Sequence, residues 1–487
     1  MPPENPTPFD PSADEVRAMG RETAEWIARH YEALRELPVI PDTTPPATFA
    51  LFDEPVPDGG GDWRALLERF KNDVVPNSLH LPSPRYFGLM NPTPLPIAVF
   101  ADALAAALNQ NLGAWHHSPS GTAVERQVIR WLCDLAGYPK ASLGSLTSGG
   151  SLANTTALKI ALANRIPAST RAGIWGLPRR PVLYASAEAH FSIEKSANII
   201  GIGGDKGVRA VPVNRQGKLE VGALRSMIAS DRAAKLEPFC VVGIAGVTST
   251  GVIDPLDEIA DVAKEAGLWY HVDGAYGAGG LMSEKLAPRL KGIERADSIT
   301  MDPHKWWYMP YPCGATLTRD PEAGLRAFSA SDVYIPDTGR SIEFRHHGLQ
   351  GSRPFSALKL WMAMKLVGRR AYGAMAEEQI ALTERFVKEL TKNGDWVAVT
   401  PVETAIACVR YVGIAPDWGA VNERRLDSAQ DRIVQRVLAS RKHWISATTT
   451  VGTRAIRVMV ISYLTRWSHL EELIGELRRA APTEVSA

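Results

Sequence analysis

Cysteine is scarce in this chain: 487 residues contain four, Cys133, Cys240, Cys313 and Cys408, with no C-x-x-C pair among them. That spacing excludes the usual zinc modules and a disulfide framework, and it points to a reducing compartment. Charge of one sign is lacking too, since 54 Lys and Arg face 53 Asp and Glu for a formal net charge of +1. Nucleic acid and anionic lipid are therefore not the expected partners. No charge-free run is long enough to cross a bilayer, and the opening MPPENPTPFDP lacks a basic stretch followed by an apolar one. The chain is accordingly read as cytoplasmic. The adjacent pairs His116-His117 and His346-His347 lack metal-ligand helical spacing, so no metal site is expected.

What is present is an ordinary globular composition, 45% hydrophobic and 22% charged, without internal repeats. The length exceeds one usual domain core, so a large domain with satellite segments is expected. Residues 12–36 place Val16, Met19, Ala24, Ile27, Tyr31 and Leu34 at helical spacing, and the segment PVIPDTTPP then stops the pattern. A second helix is predicted over Trp63 to Val75, after Gly59 to Gly61. Two helices cannot own a core, so residues 1–79 form an N-terminal helical segment that docks elsewhere, on a second subunit. From 80 to 369, the strand-like runs PVLYAS, RAVPV, FCVVGIAGV, LWYHVDG and SITMD alternate with helical patterns such as LDEIADVAKEAG. This alternation predicts a large α/β domain with a mostly parallel sheet. Residues 370–487 read as a smaller α+β domain, with a long helix, the strands IACVRYV and IRVMVISY, and a terminal helix.

Four segments carry candidate chemistry. SLTSGGSLANTTALKI (Ser145 to Ile160) sets two glycines ahead of a helix, where free N–H groups favour an anion, although a plain Gly-Ser turn reads equally well. WYHVDGAYGAGG puts Asp273 at the carboxyl end of an apolar strand, where open α/β sheets present ligand groups; a helix cap or metal ligand is the competing reading. ADSITMDPHKWWYMPYPCGA places Lys305 between an apolar strand and a Trp-rich run, where partial desolvation makes an amine usable for Schiff-base chemistry. His190, in YASAEAHFS, follows a strand, and its imidazole serves either to stack on a flat ring or as a structural group.

In chain order, these segments resemble the group II pyridoxal-phosphate decarboxylases, the family of aromatic L-amino acid decarboxylase; H-V-D-x-A-Y and D-P-H-K-W carry most of the likeness. The resemblance implies an aspartate-aminotransferase-like (type I) fold, a pyridoxal 5'-phosphate cofactor, and a homodimer with sites between subunits and N-terminal helices clasping the partner. By the same likeness, Gly150 and Ser151 form the phosphate turn, with Asp302 and His304 beside it. His190 stacks on the cofactor ring, Thr248 lies near its ring oxygen, and Ala275 lies beneath it. Asp273 partners the pyridinium nitrogen, and Lys305 forms the Schiff base. The expected activity is decarboxylation of an L-amino acid, taken as aromatic, to the amine and carbon dioxide.

Three departures from the family pattern stand out. Asp302 occupies a position where relatives of the aromatic enzyme often have asparagine, and a carboxylate there repels a phosphate unless it is protonated or turned away. The segments RYFGLMNPT and NQNLGAWHHSP supply the pocket candidates Met90, Asn91, Thr93, Gly113 and Trp115, which predict a roomier and more polar pocket than the aromatic enzyme's; Arg85 is a candidate partner for an acidic substrate or a plain surface charge. Phe344 falls where the family's mobile loop carries a proton-donating tyrosine. A phenylalanine cannot donate that proton, which raises an aldehyde-forming oxidative deamination as the alternative outcome, with water, His190 or Tyr334 as other proton sources. Rival readings are an aminotransferase of the same fold, a serine hydrolase built on Ser151, and a non-catalytic binding protein.

Overall fold

A computed structural model of the chain describes residues 9–329, 342–413 and 423–482. Its main sheet has seven strands: β1 (Leu143–Thr147), β2 (Pro181–Ser186), β3 (Val208–Val211), β4 (Glu237–Ile244), β5 (Trp269–Asp273), β6 (Ser298–Met301) and β7 (Gly314–Thr318). They lie in the order β1-β7-β6-β5-β4-β2-β3. Strands β2 to β6 pair in parallel, while β7 runs antiparallel to both β6 and β1. Helices cover both faces, so the central strands are buried throughout and read as unbroken apolar runs. The crossover from β4 to β5 is the helix Leu256–Ala266, which buries Leu256, Ile259, Ala260, Val262 and Ala263 and stops at Gly267, left-handed at φ 63°.

The expected parallel strands are all present, but β1 and β7 were not anticipated. Their sequences, LGSLT and GATLT, are short and built from small polar residues. Small size is what their position demands, because a Cβ on Gly144 would come within 2.3 Å of the Thr316 carbonyl oxygen.

A second sheet is wholly antiparallel, with β8 (Trp396–Ala398), β9 (Ile406–Tyr411), β10 (Ser446–Thr450) and β11 (Thr453–Met459) in the order β10-β11-β9-β8. The helices Arg369–Thr391, Glu423–Ala439 and Trp467–Ala480 back it. Both sheets share one apolar core, which runs from Leu146 and Val272 through Ile456 to Leu473. The N-terminal helix Ala13–Ala33 begins with a capping box, in which Ser12 Oγ accepts from the Glu15 N–H while Glu15 accepts from the Ser12 N–H. That helix buries none of its residues. A short helix at Pro45–Ala50 follows, and the helix expected over Trp63 to Val75 runs from Trp63 to Arg69 and continues as a π-turn through Val74.

Two polar ties hold the parts in place. Trp306 Nε1 donates to Gln379 Oε1 at 2.6 Å and Gln379 Nε2 donates to the Ile461 carbonyl at 2.9 Å, joining the segment after β6 to a helix of the second unit and to the stretch just after β11. Arg353 pairs with Glu125 (Nη1 to Oε2, 3.1 Å), with side chains 4% and 0% exposed, and also reaches the Leu146 carbonyl at 2.9 Å. Removing one partner of such a pair strands the other charge without water. Glu125→Ala is therefore expected to lower stability by about 3–5 kcal/mol in urea unfolding; a loss below about 1 kcal/mol would mean that the guanidinium finds water or another anion.

Candidate active site

Strand β5 ends at Asp273, 7% exposed. Its Oδ2 accepts from Asn154 Nδ2 at 2.9 Å and its Oδ1 from the Ala275 N–H at 3.1 Å. Asn154 lies one turn into the helix Gly150–Arg165 and also bonds Ser192 Oγ (2.9 Å) and His271 Nε2 (3.1 Å), while His271 Nδ1 meets Ser298 Oγ at 2.9 Å. Burial brings His271 down to about 4 against the opposing pull of Asp273, so the imidazole is neutral and serves as a fixed dipole behind the carboxylate.

The turn after β6 carries Asp302, His304 and Lys305, with the Lys305 N–H donating to the Asp302 carbonyl at 2.9 Å. Lys305 Nζ lies 3.1 Å from Asp302 Oδ2. His304 Nδ1 accepts from the Cys313 N–H at 3.1 Å, and its ring packs tilted on Tyr311 with centroids 4.2 Å apart. Burial, then the nearby Lys305 and Lys359 charges, bring His304 down to about 3. The start of the helix Gly150–Arg165 meets this turn closely. A Cβ on Gly150 would fall 2.6 Å from Asp302 Oδ2, and one on Gly314 would fall 2.6 Å from the Gly149 Cα. Side chains at these positions would push the helix start away from the turn.

These elements enclose a cavity of about 360 Å³. All nine residues expected at the cofactor line it: Gly150, Ser151, His190, Thr248, Asp273, Ala275, Asp302, His304 and Lys305. His190 is fixed by a 2.8 Å contact from Nδ1 to Ser192 Oγ, and burial lowers its pKa. Asn154, Ser192, Tyr276 and Tyr311 also line the cavity and were missed. A polar residue one turn into an apolar helix was the available signal for Asn154; Tyr311 had none.

The substrate-pocket candidates divide. Met90 and Asn91 reach the wall through Tyr311, whose Oη donates to the Met90 carbonyl (3.2 Å) and accepts from Asn91 Nδ2 (2.9 Å). Thr93 is wholly buried, with Oγ1 on the Pro82 carbonyl (2.6 Å) and Ser462 Oγ (2.7 Å), so it is a structural tie. Gly113 does not enlarge this cavity; its Cβ would meet the Gly351 carbonyl oxygen at 2.1 Å, and it packs against the 345–353 segment. Trp115 lies there too, with its N–H directed at Glu343 Oε1 (3.4 Å). Phe344 belongs to the same segment: it is 0% exposed, sits under the Arg353 guanidinium 4.9 Å from its ring centroid, lies in a short helical turn, and does not line the cavity of its own chain. Tyr334 lies outside the described residues. Arg85 is paired with Glu472 at 2.9 Å and does not line the cavity. Behind Tyr276, by contrast, sits Arg457, 4% exposed, whose Nε and Nη2 have no hydrogen-bond partner among the described residues.

The donor set fits pyridoxal 5'-phosphate: a buried carboxylate for a ring nitrogen, a glycine-rich helix start for a phosphate, an amine between them, and an imidazole wall opposite a small residue. Fold and site together define a pyridoxal-phosphate enzyme of the type I, aspartate-aminotransferase-like class. Residues 45–412 match the family described as the pyridoxal-dependent decarboxylase conserved domain. The chain is 32% identical to an aromatic-L-amino-acid decarboxylase of Bacillus atrophaeus over 82% of each protein. It is 34% identical to an L-2,4-diaminobutyrate decarboxylase of Rhizobium meliloti over 74% of this chain and 71% of that one. The fold superposes on Oryza sativa TDC, solved with PLP and tryptamine, with a TM-score of 0.91, 24% identity and 98% and 99% of the two chains covered. The chain belongs to the pyridoxal-dependent decarboxylase family, and its cofactor is pyridoxal 5'-phosphate.

Holding two imidazoles neutral has a pH consequence. His271 at about 4 and His304 at about 3 stay unprotonated where the unfolded chain, with its ordinary value of 6.5, takes up protons. Their stabilising contribution is complete above that value and is lost as pH falls toward the folded values. Between pH 7 and pH 5 each is expected to account for about 2 kcal/mol of lost stability. His271→Asn should recover one such share when unfolding is measured at both pH values; an unchanged pH dependence would show that His271 is not buried neutral.

Proposed function

We propose that this enzyme decarboxylates an aromatic L-amino acid to the amine and carbon dioxide. The observation that carries the reading is the convergence of Asp273, Lys305, His190 and the Gly149-Gly150 helix start on one cavity. When bound, pyridoxal phosphate supplies an electron sink for bonds at the substrate Cα. Asp273 holds the proton on the pyridine nitrogen, and the bonds from Asn154 and the Ala275 N–H keep its carboxylate aimed. Lys305 Nζ holds the cofactor between turnovers and gives up its place to the substrate amine. His190 and Ala275 confine the ring, while Gly150 and Ser151 bind the phosphate. Arg457, whose Nη1 donates to the Gly88 carbonyl and which has no ion-pair partner among the described residues, stands behind the cavity wall and favours a substrate carrying a carboxylate.

The protein works as a homodimer in this reading. On the helix Pro96–Leu108, Phe100, Leu104 and Leu108 form a stripe of exposed residues spaced four apart, and Val16, Phe49, Phe52 and Leu66 extend the exposed apolar surface across the N-terminal helices. Gly113 and Trp115, remote from this cavity, are placed to serve a partner's.

A 4-hydroxyphenylacetaldehyde synthase of Rhodiola rosea is 27% identical over 99% of each protein, so aldehyde formation occurs among the relatives. Phe344 keeps that outcome as the alternative reading: it lies on the segment that meets Gly113 and Trp115 away from this cavity, and a benzyl ring there has no proton to donate to a partner's site. Borohydride reduction followed by peptide mapping is expected to place the cofactor on Lys305 and nowhere else, and Lys305→Ala to abolish the label. Products from a panel of L-amino acids are expected to be amines without oxygen uptake. Peroxide and aldehyde from the wild type would overturn the amine assignment; label on another lysine would overturn the site.

A further inference from the structure

The end of the cavity that receives a phosphate already contains an anion. The Asp302 side chain is 1% exposed, with Oδ2 3.1 Å from Lys305 Nζ and 3.5 Å from His304 Nε2. It also accepts from the Gly150 N–H, the first residue of a 16-residue helix. Its Oδ1 is buried with no hydrogen-bond partner among the described residues. The other ionisable groups facing Asp302 do little to neutralise it: His304 and His190 have lowered pKa values, Asp273 carries the same sign, and Tyr311 and Cys313 are neutral acids that burial pushes up. Burial raises Asp302 itself, and the Lys305 ammonium is the main influence holding it down. Covalent loading consumes that ammonium, while the incoming phosphate competes for the helix start. Two anions cannot share this buried corner once the only adjacent cation among the described residues is gone.

We propose that Asp302 takes the proton that Lys305 gives up on loading, and then donates that hydrogen to the cofactor phosphate as a neutral acid. This rests on the reading of Lys305 as the cofactor lysine. The ammonium loses a proton from Nζ to Asp302 Oδ2; the freed electron pair attacks the aldehyde carbon, a C=N bond replaces C=O, and the oxygen leaves as water. Nothing is oxidised or reduced. The carboxylate at this position is thereby a partner of the phosphate in its protonated form, and its unpaired Oδ1 gains a role as the second oxygen facing the ligand.

The test is a proton count. Cofactor-free wild type and Asp302→Asn are titrated with pyridoxal 5'-phosphate at one pH near neutrality, in a calorimeter, in buffers of different ionisation enthalpy, with the visible band followed in parallel. Any proton on the imine nitrogen is common to both proteins and cancels in the difference. The variant is expected to release about one proton more per site than the wild type. Equal counts with a normal visible band in both would overturn the proposal while leaving the Lys305 reading intact; a wild type that forms no band would overturn both. The infrared difference spectrum of the wild type alone gives a second measure: a carboxylic-acid C=O stretch that shifts in heavy water is expected on loading, and its absence would also overturn the proposal.

Discussion

A carboxylate held at the buried carboxyl end of a central strand is the constraint around which the rest is arranged. Asp273 is satisfied in a poor solvent by two hydrogen bonds, one from Asn154 and one from the backbone two residues on. Each donor has its own requirement. Asn154 must project from the first turn of a helix that crosses β4 to β7, so the helix must start at the glycines that also open the anion-binding end. The amide is oriented in turn by His271 on the same strand as Asp273, and that imidazole is set by Ser298 on β6. One carboxylate thus fixes the relation of a helix and two strands.

The parallel order β6-β5-β4-β2-β3 brings the carboxyl ends of these strands to one edge, so Asp273 and the Asp302 to Lys305 turn, on neighbouring strands, open into the same cavity. The antiparallel β7 returns the chain beside β6 and lets Gly314 touch the helix start, closing the phosphate end. Behind it, Trp306 bonded to Gln379 and stacked on Tyr276 at 4.9 Å connects the lysine-bearing turn to the second sheet, where Arg457 stands.

Much of this was legible in the sequence because period and position are local properties. The five parallel strands and their crossover helices lie in segments whose apolar runs end at polar residues, and Asp273, Lys305 and His190 stand at those ends, while Gly150, Ser151, Thr248, Ala275, Asp302 and His304 were assigned through the family resemblance. The misses share a physical reason, which is that burial is not local. LGSLT and GATLT look like loops because their small residues are selected by close backbone approach between neighbouring strands, not by alternation. The close approach of Gly113 to the Gly351 carbonyl oxygen likewise leaves no local signal in the sequence. Tyr311 gave no warning because its link to Asn91 spans more than two hundred residues of chain.

The account's central claim is that Asp273 is chemical rather than structural, and the most direct measurement is the single-turnover decarboxylation rate of Asp273→Ala at saturating cofactor, with folding checked by circular dichroism. If the carboxylate holds the ring nitrogen protonated, the variant binds cofactor, stays folded and loses at least about a hundredfold in rate. A folded variant within a few-fold of the wild-type rate would contradict the claim and reduce Asp273 to a strut between a strand and a helix.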